Sequence, residues 1–224
     1  MRHGFLCRLR IAEQIMVMPA VKRRWTASEV RDLIAASPLA TPRYELVDGE
    51  LLVTPAPRLL HQEAVTLLLM LLRTYLDAEP AGHALPSPSD VELEPEFLSQ
   101  PDVFVMPREE WQRARLERVV RRLILAVEVL SPSSAGHDRV RKRPVYQRNV
   151  PEYWIVDLDA RLVERWRPAD DRPEILTRTL EWSPPGARTS LAIDLAAYFG
   201  KVLDADAPNL PADYSQPDTT RHRQ

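Results

Sequence analysis

Apolar and polar positions recur along this chain with periods that mark out most of its elements. Between residues 61 and 78 the apolar side chains Val65, Leu68, Leu69, Leu72 and Leu76 return at helical intervals, which predicts a long helix with one core-facing stripe. Thr26-Ala27-Ser28-Glu29 ahead of Val30, Leu33 and Ile34 has the form of a capping box and predicts a shorter helix, ended by Pro38 and Pro42. Two β-type runs, Tyr44 to Val47 and Glu50 to Val53, flank Asp48-Gly49, a strong hairpin signal. Asp90 to Leu93 and Asp102 to Met106 read as short strands, and the charged stretch Arg108 to Arg122 as partly helical. Leu123 to Leu130 is an almost continuous apolar run, as expected of a strand buried on both faces. A helix from near Asp138 to Arg148, a central strand Tyr153 to Asp157, its hairpin partner Leu162 to Arg167 and a last helix Leu191 to Leu203 complete the pattern. This order predicts an α/β or α+β fold with a mixed central sheet flanked by helices.

Composition narrows the picture. The 224 residues fit one domain, expected over residues 25–203, with an N-terminal extension over 1–24 and a disordered tail over 204–224. The reading leaves the true start open between Met1, Met16 and Met18. No apolar run approaches the ~20 residues of a membrane span, and Glu13 and Gln14 interrupt what would be the core of a signal peptide. A single cysteine, Cys7, excludes an intramolecular disulfide and a cysteine-cluster metal site, in keeping with a cytoplasmic protein. The net charge of −2 means that nucleic-acid binding would have to come from local basic patches.

Glu128 is the most informative residue, since it interrupts an apolar strand where an unpaired carboxylate is costly. Its partner is either a buried arginine or backbone amide, or a metal ion. Asp102, entered through Pro101, caps a turn or stands beside Glu128 on a neighbouring strand. Two such carboxylates repel unless a cation lies between them, and oxygen ligands suit Mg²⁺ or Mn²⁺. Glu45 on the hairpin is a third candidate or an exposed strand glutamate. Asp138, Lys142 and Tyr146 follow at intervals of four on one helix face, which is either a solvated ion pair or part of a site. Arg139, Arg141, Arg143 and Arg148 form a basic cluster that reads as a solvated face or a phosphate-contacting stripe. Pro144 falls inside that helix, where it would kink or delay it, and whether this displaces Lys142 is left open. His61, Gln62 and His137 have no metal-binding spacing, and phosphate-loop and dinucleotide motifs are missing from the sequence.

Several of these segments occur in a recognisable order: Arg43 to Glu50, Pro101-Asp102-Val103, Glu128 to Ser134, Asp138…Lys142…Tyr146, and Val150 to Asp157. Together they resemble the bacterial Uma-type restriction-endonuclease-like family, formerly a domain of unknown function, within the PD-(D/E)XK nuclease superfamily. The resemblance implies a nuclease core with Asp102 as the motif aspartate and Glu128 as the motif acid. It further implies a Mg²⁺ or Mn²⁺ ion on Asp102, Glu128 and the Val129 carbonyl, with Glu45 helping to hold the metal or its water. The superfamily's lysine, two residues after the acid, would fall on Leu130. By the resemblance its place is taken by Lys142 on the following helix, supported by Asp138 and Tyr146.

The function so implied is metal-dependent hydrolysis of DNA phosphodiester bonds, with DNA as partner and a homodimer as one way to cut both strands. A catalytically silent nuclease fold that binds nucleic acid or protein is the alternative. A two-carboxylate glycosidase ranks below both, because it would leave Lys142 and the basic cluster idle.

Overall fold

The computed structural model describes residues 23–39, 41–131 and 135–204. The expected tail beyond Asp204, most of the expected N-terminal extension and residues 132–134 lie outside the described residues.

Local signals at the start of the chain resolve as the pattern predicts. Helix α1 (Ala27–Ala36) is closed by a full capping box: the Glu29 amide donates to the Thr26 hydroxyl, and the Thr26 amide to Glu29 Oε2 at 2.9 Å. Strands β1 (Arg43–Val47) and β2 (Glu50–Thr54) pair antiparallel across Asp48 and Gly49, whose φ values of 51° and 75° are the left-handed pair such a two-residue turn requires. Helix α2 (Leu59–Ala78) begins two residues earlier than the periodicity marks. It buries Val65, Leu68, Leu72 and Leu76, together with Ala64, Leu67 and Leu71. No helix among the described residues is long and apolar enough to cross a membrane.

The central sheet has six strands: β3 (His83–Pro86), β6 (Val103–Met106), β7 (Leu125–Val129), β8 (Glu152–Asp157), β9 (Leu162–Trp166) and β10 (Glu174–Leu176), ordered β10-β9-β8-β7-β6-β3. Within it β7 and β8 run parallel and the other pairs antiparallel. A parallel pair needs a crossover, supplied here by α4 (Ala135–His137), a π-helical turn (Asp138–Lys142) and α5 (Arg143–Asn149). A second sheet, ordered β2-β1-β5-β4, adds β4 (Val91–Glu94) and β5 (Phe97–Ser99) to the hairpin. Helix α3 (Arg108–Glu117) links β6 to β7.

The two faces of the central sheet separate by strand parity. Val103, Val105, Leu125, Val127 and Val129 pack with α2 and with α6 (Leu195–Leu203). Phe104, Met106 and Ala126 face the opposite way, towards Phe97, Tyr146 and Tyr153. Asp102 and Glu128 share the parity of this second face, which looks towards β5 and the crossover helix. Because β6 opposes β7 with Val103 across from Val127, Asp102 and Glu128 fall at opposing positions just beyond the last pair.

One expected element divides in two. The predicted last helix is a strand, β12 (Leu191–Asp194), followed by α6. Leu191 and Ile193 alternate with exposed neighbours and pair with β11 (Thr179–Trp182), while Asp194 ends the strand by accepting the Ala197 amide at 3.0 Å as the N-cap of α6. The short strands β3, β5, β10 and β11 were not marked by periodicity, since three or four residues give too little alternation to read.

Candidate active site

The acidic and basic residues singled out by the sequence converge where the second sheet meets the open end of β6 and β7. Glu45, Asp102, Glu128, Asp138 and Lys142 are all buried, none more than 4% exposed. The readings of Glu45 as an exposed strand residue and of Lys142 as part of a solvated face are therefore overturned. Lys142 Nζ lies 2.9 Å from Glu45 Oε2, 3.1 Å from Glu128 Oε1 and 3.3 Å from Asp138 Oδ1. Glu45 uses its other oxygen to accept the Gln100 amide at 2.8 Å. The Tyr146 hydroxyl stands 3.3 Å from Glu128 Oε1 and 2.7 Å from Ser99 Oγ, which fixes the carboxylate from the β5 side. Leu130, two residues beyond Glu128, packs against the same apolar face.

The π turn explains why Pro144 does not carry Lys142 away. Arg143 donates its amide to Asp138 O, five residues back, so the wider turn precedes the proline. Pro144 then sits in the first turn of α5, where a missing amide costs little. The expected kink thus becomes a π-helical segment carrying both Asp138 and Lys142, and such segments recur at functional sites.

Asp102 is held separately. Its Oδ1 accepts from Arg43 Nη1 at 2.9 Å, and its Oδ2 from His61 Nε2 at 3.0 Å and the Val129 amide at 2.9 Å. The last contact follows from topology, since β6 has ended opposite Val129 and the Asp102 side chain takes the place of the ladder acceptor. Arg43 and His61 were not singled out by the sequence as site residues. The signal for His61 was present, because it stands four residues before Val65 on the buried stripe of α2. The predicted arginine cluster is already engaged: Arg139 with Asp157 and Glu164, Arg141 with Glu50, and Arg148 with Glu94. Arg143 instead lies over the Trp166 ring, 4.5 Å from its centroid, and hydrogen-bonds Gln147.

Residues 29–196 match the Uma2 family, described as "Putative restriction endonuclease". The chain belongs to that family. Its fold matches a crystal structure described as "a putative nuclease" from Anabaena variabilis, with a TM-score of 0.63 at 18% identity over 77% of this chain and 98% of that one. No curated protein matches it in sequence. For this Uma2 chain the mixed sheet with flanking helices is therefore the family's nuclease-like fold.

The charge balance of the site is uneven. Glu45, Asp102, Glu128 and Asp138 bring four buried carboxyls, against the permanent cations Arg43 and Lys142. Burial opposes the Asp102 anion, but the His61 hydrogen bond, the charges of His61 and Arg43 and the Val129 amide outweigh it and bring its pKa down to about 2. Glu128 goes the other way. Desolvation and the charges of Asp138, Asp102 and Glu45 push its pKa up, against the pull of Lys142. Burial works against the Lys142 ammonium too, but Glu128, Glu45 and Asp138 together hold its pKa above the usual lysine value. The surplus of acid thus shifts Glu128 towards its protonated form, while the same carboxyls favour retention of the ammonium.

A metal ion is the cofactor the family resemblance implies, and the donors fit it chemically: they are oxygens, buried and in excess over protein cations. Among the described residues, however, no three His, Cys, Asp or Glu side chains are grouped so as to hold an ion. Lys142 stands among the three glutamate and aspartate groups it neutralises, and both Asp102 oxygens have protein donors. An ion would therefore bind in competition with Lys142 and with the donors on Asp102.

The two motif acids should respond to pH in opposite senses. Asp102, lowered from 3.8 to about 2, stabilises the fold as an anion above about pH 3.8. That contribution, roughly 2 kcal/mol, is lost as pH falls through 2. Glu128, raised above 4.5, costs stability as pH rises from 4.5 through its folded pKa. Chemical denaturation across this range should find Glu128→Gln more stable than the wild type at neutral pH, with the advantage fading towards pH 4.5. Asp102→Asn should be less stable at neutral pH, with the deficit shrinking in acid. A Glu128→Gln chain less stable than the wild type at neutral pH would contradict this distribution of charge.

Proposed function

We propose that this Uma2 chain is a metal-dependent endonuclease that hydrolyses DNA phosphodiester bonds. The observation that carries the reading is the juxtaposition of Asp102 and Glu128 at opposing positions of β6 and β7, with the Lys142 ammonium 3.1 Å from Glu128. Asp102, Glu128 and the Val129 carbonyl would hold Mg²⁺ or Mn²⁺, with Glu45 as a further acid. Such an ion lowers the pKa of bound water and neutralises charge on the scissile phosphate. Lys142 adds a fixed positive charge where the pentavalent phosphorus becomes most negative, and its ion pairs hold it there before substrate arrives. Asp138 and Tyr146 keep the ammonium and Glu128 in register.

DNA contact falls first to Arg143, which has no carboxylate partner among the described residues. Arg139, Arg141 and Arg148 would reach phosphates only by leaving their acids. A catalytically silent fold that binds nucleic acid or protein is the second reading. What favours it is that Lys142 and the donors on Asp102 already satisfy the carboxylates that a metal would need.

Single-turnover cleavage of plasmid and oligonucleotide DNA with Mg²⁺ or Mn²⁺ separates the two readings. The wild type should cut, Asp102→Ala and Glu128→Ala should not, and Lys142→Ala should lose ~10²-fold or more while remaining folded by circular dichroism. Equal cleavage by the wild type and the acid variants would expose a contaminant, and an inert wild type would favour the silent fold.

DNA affinity measured against salt checks the contact surface. Arg143→Ala should lower the log–log slope by about one unit, whereas Arg148→Ala should change it less. Unchanged slopes in both variants would reduce the cluster to a solvated face.

A further inference from the structure

A cavity of about 460 Å³ lies away from the acid cluster, along the outer edge of β3. Helix α2 packs on one face of the sheet there and α3 on the other. His83, in the cavity wall, opposes Met106 at the end of β6 far from Asp102. The four residues of chain between Asp102 and Met106 span ~13 Å.

Six side chains give this cavity its chemistry: Arg73, Asp77, His83, Arg108, Trp111 and Gln112. The rings of His83 and Trp111 stack, with centroids 4.2 Å apart and planes inclined by 16°, into one flat aromatic wall. Arg73 is anchored through Nε, which donates to the Ala84 carbonyl at 3.1 Å, and its Nη groups have no carboxylate partner among the described residues. Arg108 is exposed and has no such partner there either. Burial and then the charges of Arg73 and Arg108 lower the His83 pKa below its usual 6.5, against the opposite pull of Asp77. The ring is therefore neutral at pH 7, and the positive charge of the cavity rests on the two arginines. Asp77 stands one turn beyond Arg73 on α2, in no ion pair among the described residues.

These groups call for different parts of one ligand. Guanidinium groups suit a phosphate, whose oxygens take paired N–H donors. A flat ring wall suits the π-face of a base. A carboxylate only accepts, so Asp77 suits the amine or hydroxyl donors of a base or sugar. An inorganic anion would leave the wall unused and meet Asp77 as a like charge, and an apolar ring would leave the arginines unused. We propose that this cavity is a nucleotide-binding site, with the phosphate held by the charges of Arg73 and Arg108 and the base against the His83–Trp111 wall. The ligand is a nucleoside phosphate, free or at the end of a DNA strand. The proposal goes beyond the nuclease reading and needs neither its metal nor its acids.

Calorimetric titration of the full chain in EDTA tests it, with deoxyadenosine monophosphate, deoxyribose phosphate, inorganic phosphate and a phosphorylated oligonucleotide as probes. Deoxyadenosine monophosphate should bind saturably and ~10-fold or more tightly than deoxyribose phosphate or inorganic phosphate, because it alone carries a base to stack. Arg108→Gln, at an exposed residue with no ion pair to lose, should weaken that binding about 10-fold, and Asp102→Asn should leave it unchanged. Binding of the oligonucleotide with equal affinity would support the site with a strand end as its ligand, and weaker binding would support it with a free nucleotide. Equal affinity for inorganic phosphate would reduce the cavity to a general anion patch and overturn the proposal. So would an absence of saturable binding, an unchanged affinity in Arg108→Gln, or a loss of affinity in Asp102→Asn, which would put the nucleotide at the acid cluster. None of these results bears on whether the chain cuts DNA when metal is supplied.

Discussion

Lys142 is buried against three carboxyls drawn from three parts of the fold: Glu45 on the second sheet, Glu128 on the central sheet and Asp138 on the crossover. Removed from water, each of these charges is costly alone. The ammonium therefore fixes how the β1–β2 hairpin, strand β7 and the π turn sit against one another. The remaining motif acid, Asp102, is kept apart by its own set of donors from β1, α2 and β7. Two adjacent carboxylates are thereby held in one region with different protonation behaviour, the condition under which one serves as a fixed anion and the other as an exchangeable one.

This arrangement is not what stability alone would favour. Four buried carboxyls facing two permanent cations leave an excess of acid that pushes the Glu128 pKa up, and the surrounding core is apolar enough to have been filled by packing instead. Retention of unfavourable charge in a well-packed fold is the usual trade between stability and activity. Under the function proposed for this Uma2 chain the excess would have a use, because metal-dependent phosphodiester hydrolysis needs anionic oxygens that await a cation.

Much of this was legible in the sequence where the signal is local. The capping box at Thr26 and Glu29, the Asp48-Gly49 turn and the apolar run ending at Glu128 each specify their structure within a few residues. The candidate acids were legible for the same reason, since a carboxylate inside an apolar strand stands out. The rest depends on partners distant in sequence. His61 looked like a polar residue at the start of a helix until packing set it against Asp102, 41 residues on. The arginine cluster looked basic, although its acids at Glu50, Glu94, Asp157 and Glu164 lie on other elements. Pro144 read as a kink in the helix that carries Lys142, because a π turn leaves no periodic mark. Leu191 to Leu203 read as one helix because Asp194 fits a helix surface as well as it fits an N-cap.

The central proposal is that the carboxylate excess around Asp102 and Glu128 is a cation site in which an ion competes with protonation of Glu128. Calorimetric titration of the wild type with Mn²⁺, repeated in two buffers of different ionisation enthalpy, tests it most directly, because the difference in heat counts the protons exchanged. Saturable binding with net proton release, lost in Asp102→Asn, is the predicted result. Absence of binding, or binding that releases no proton and survives Asp102→Asn, would contradict the account.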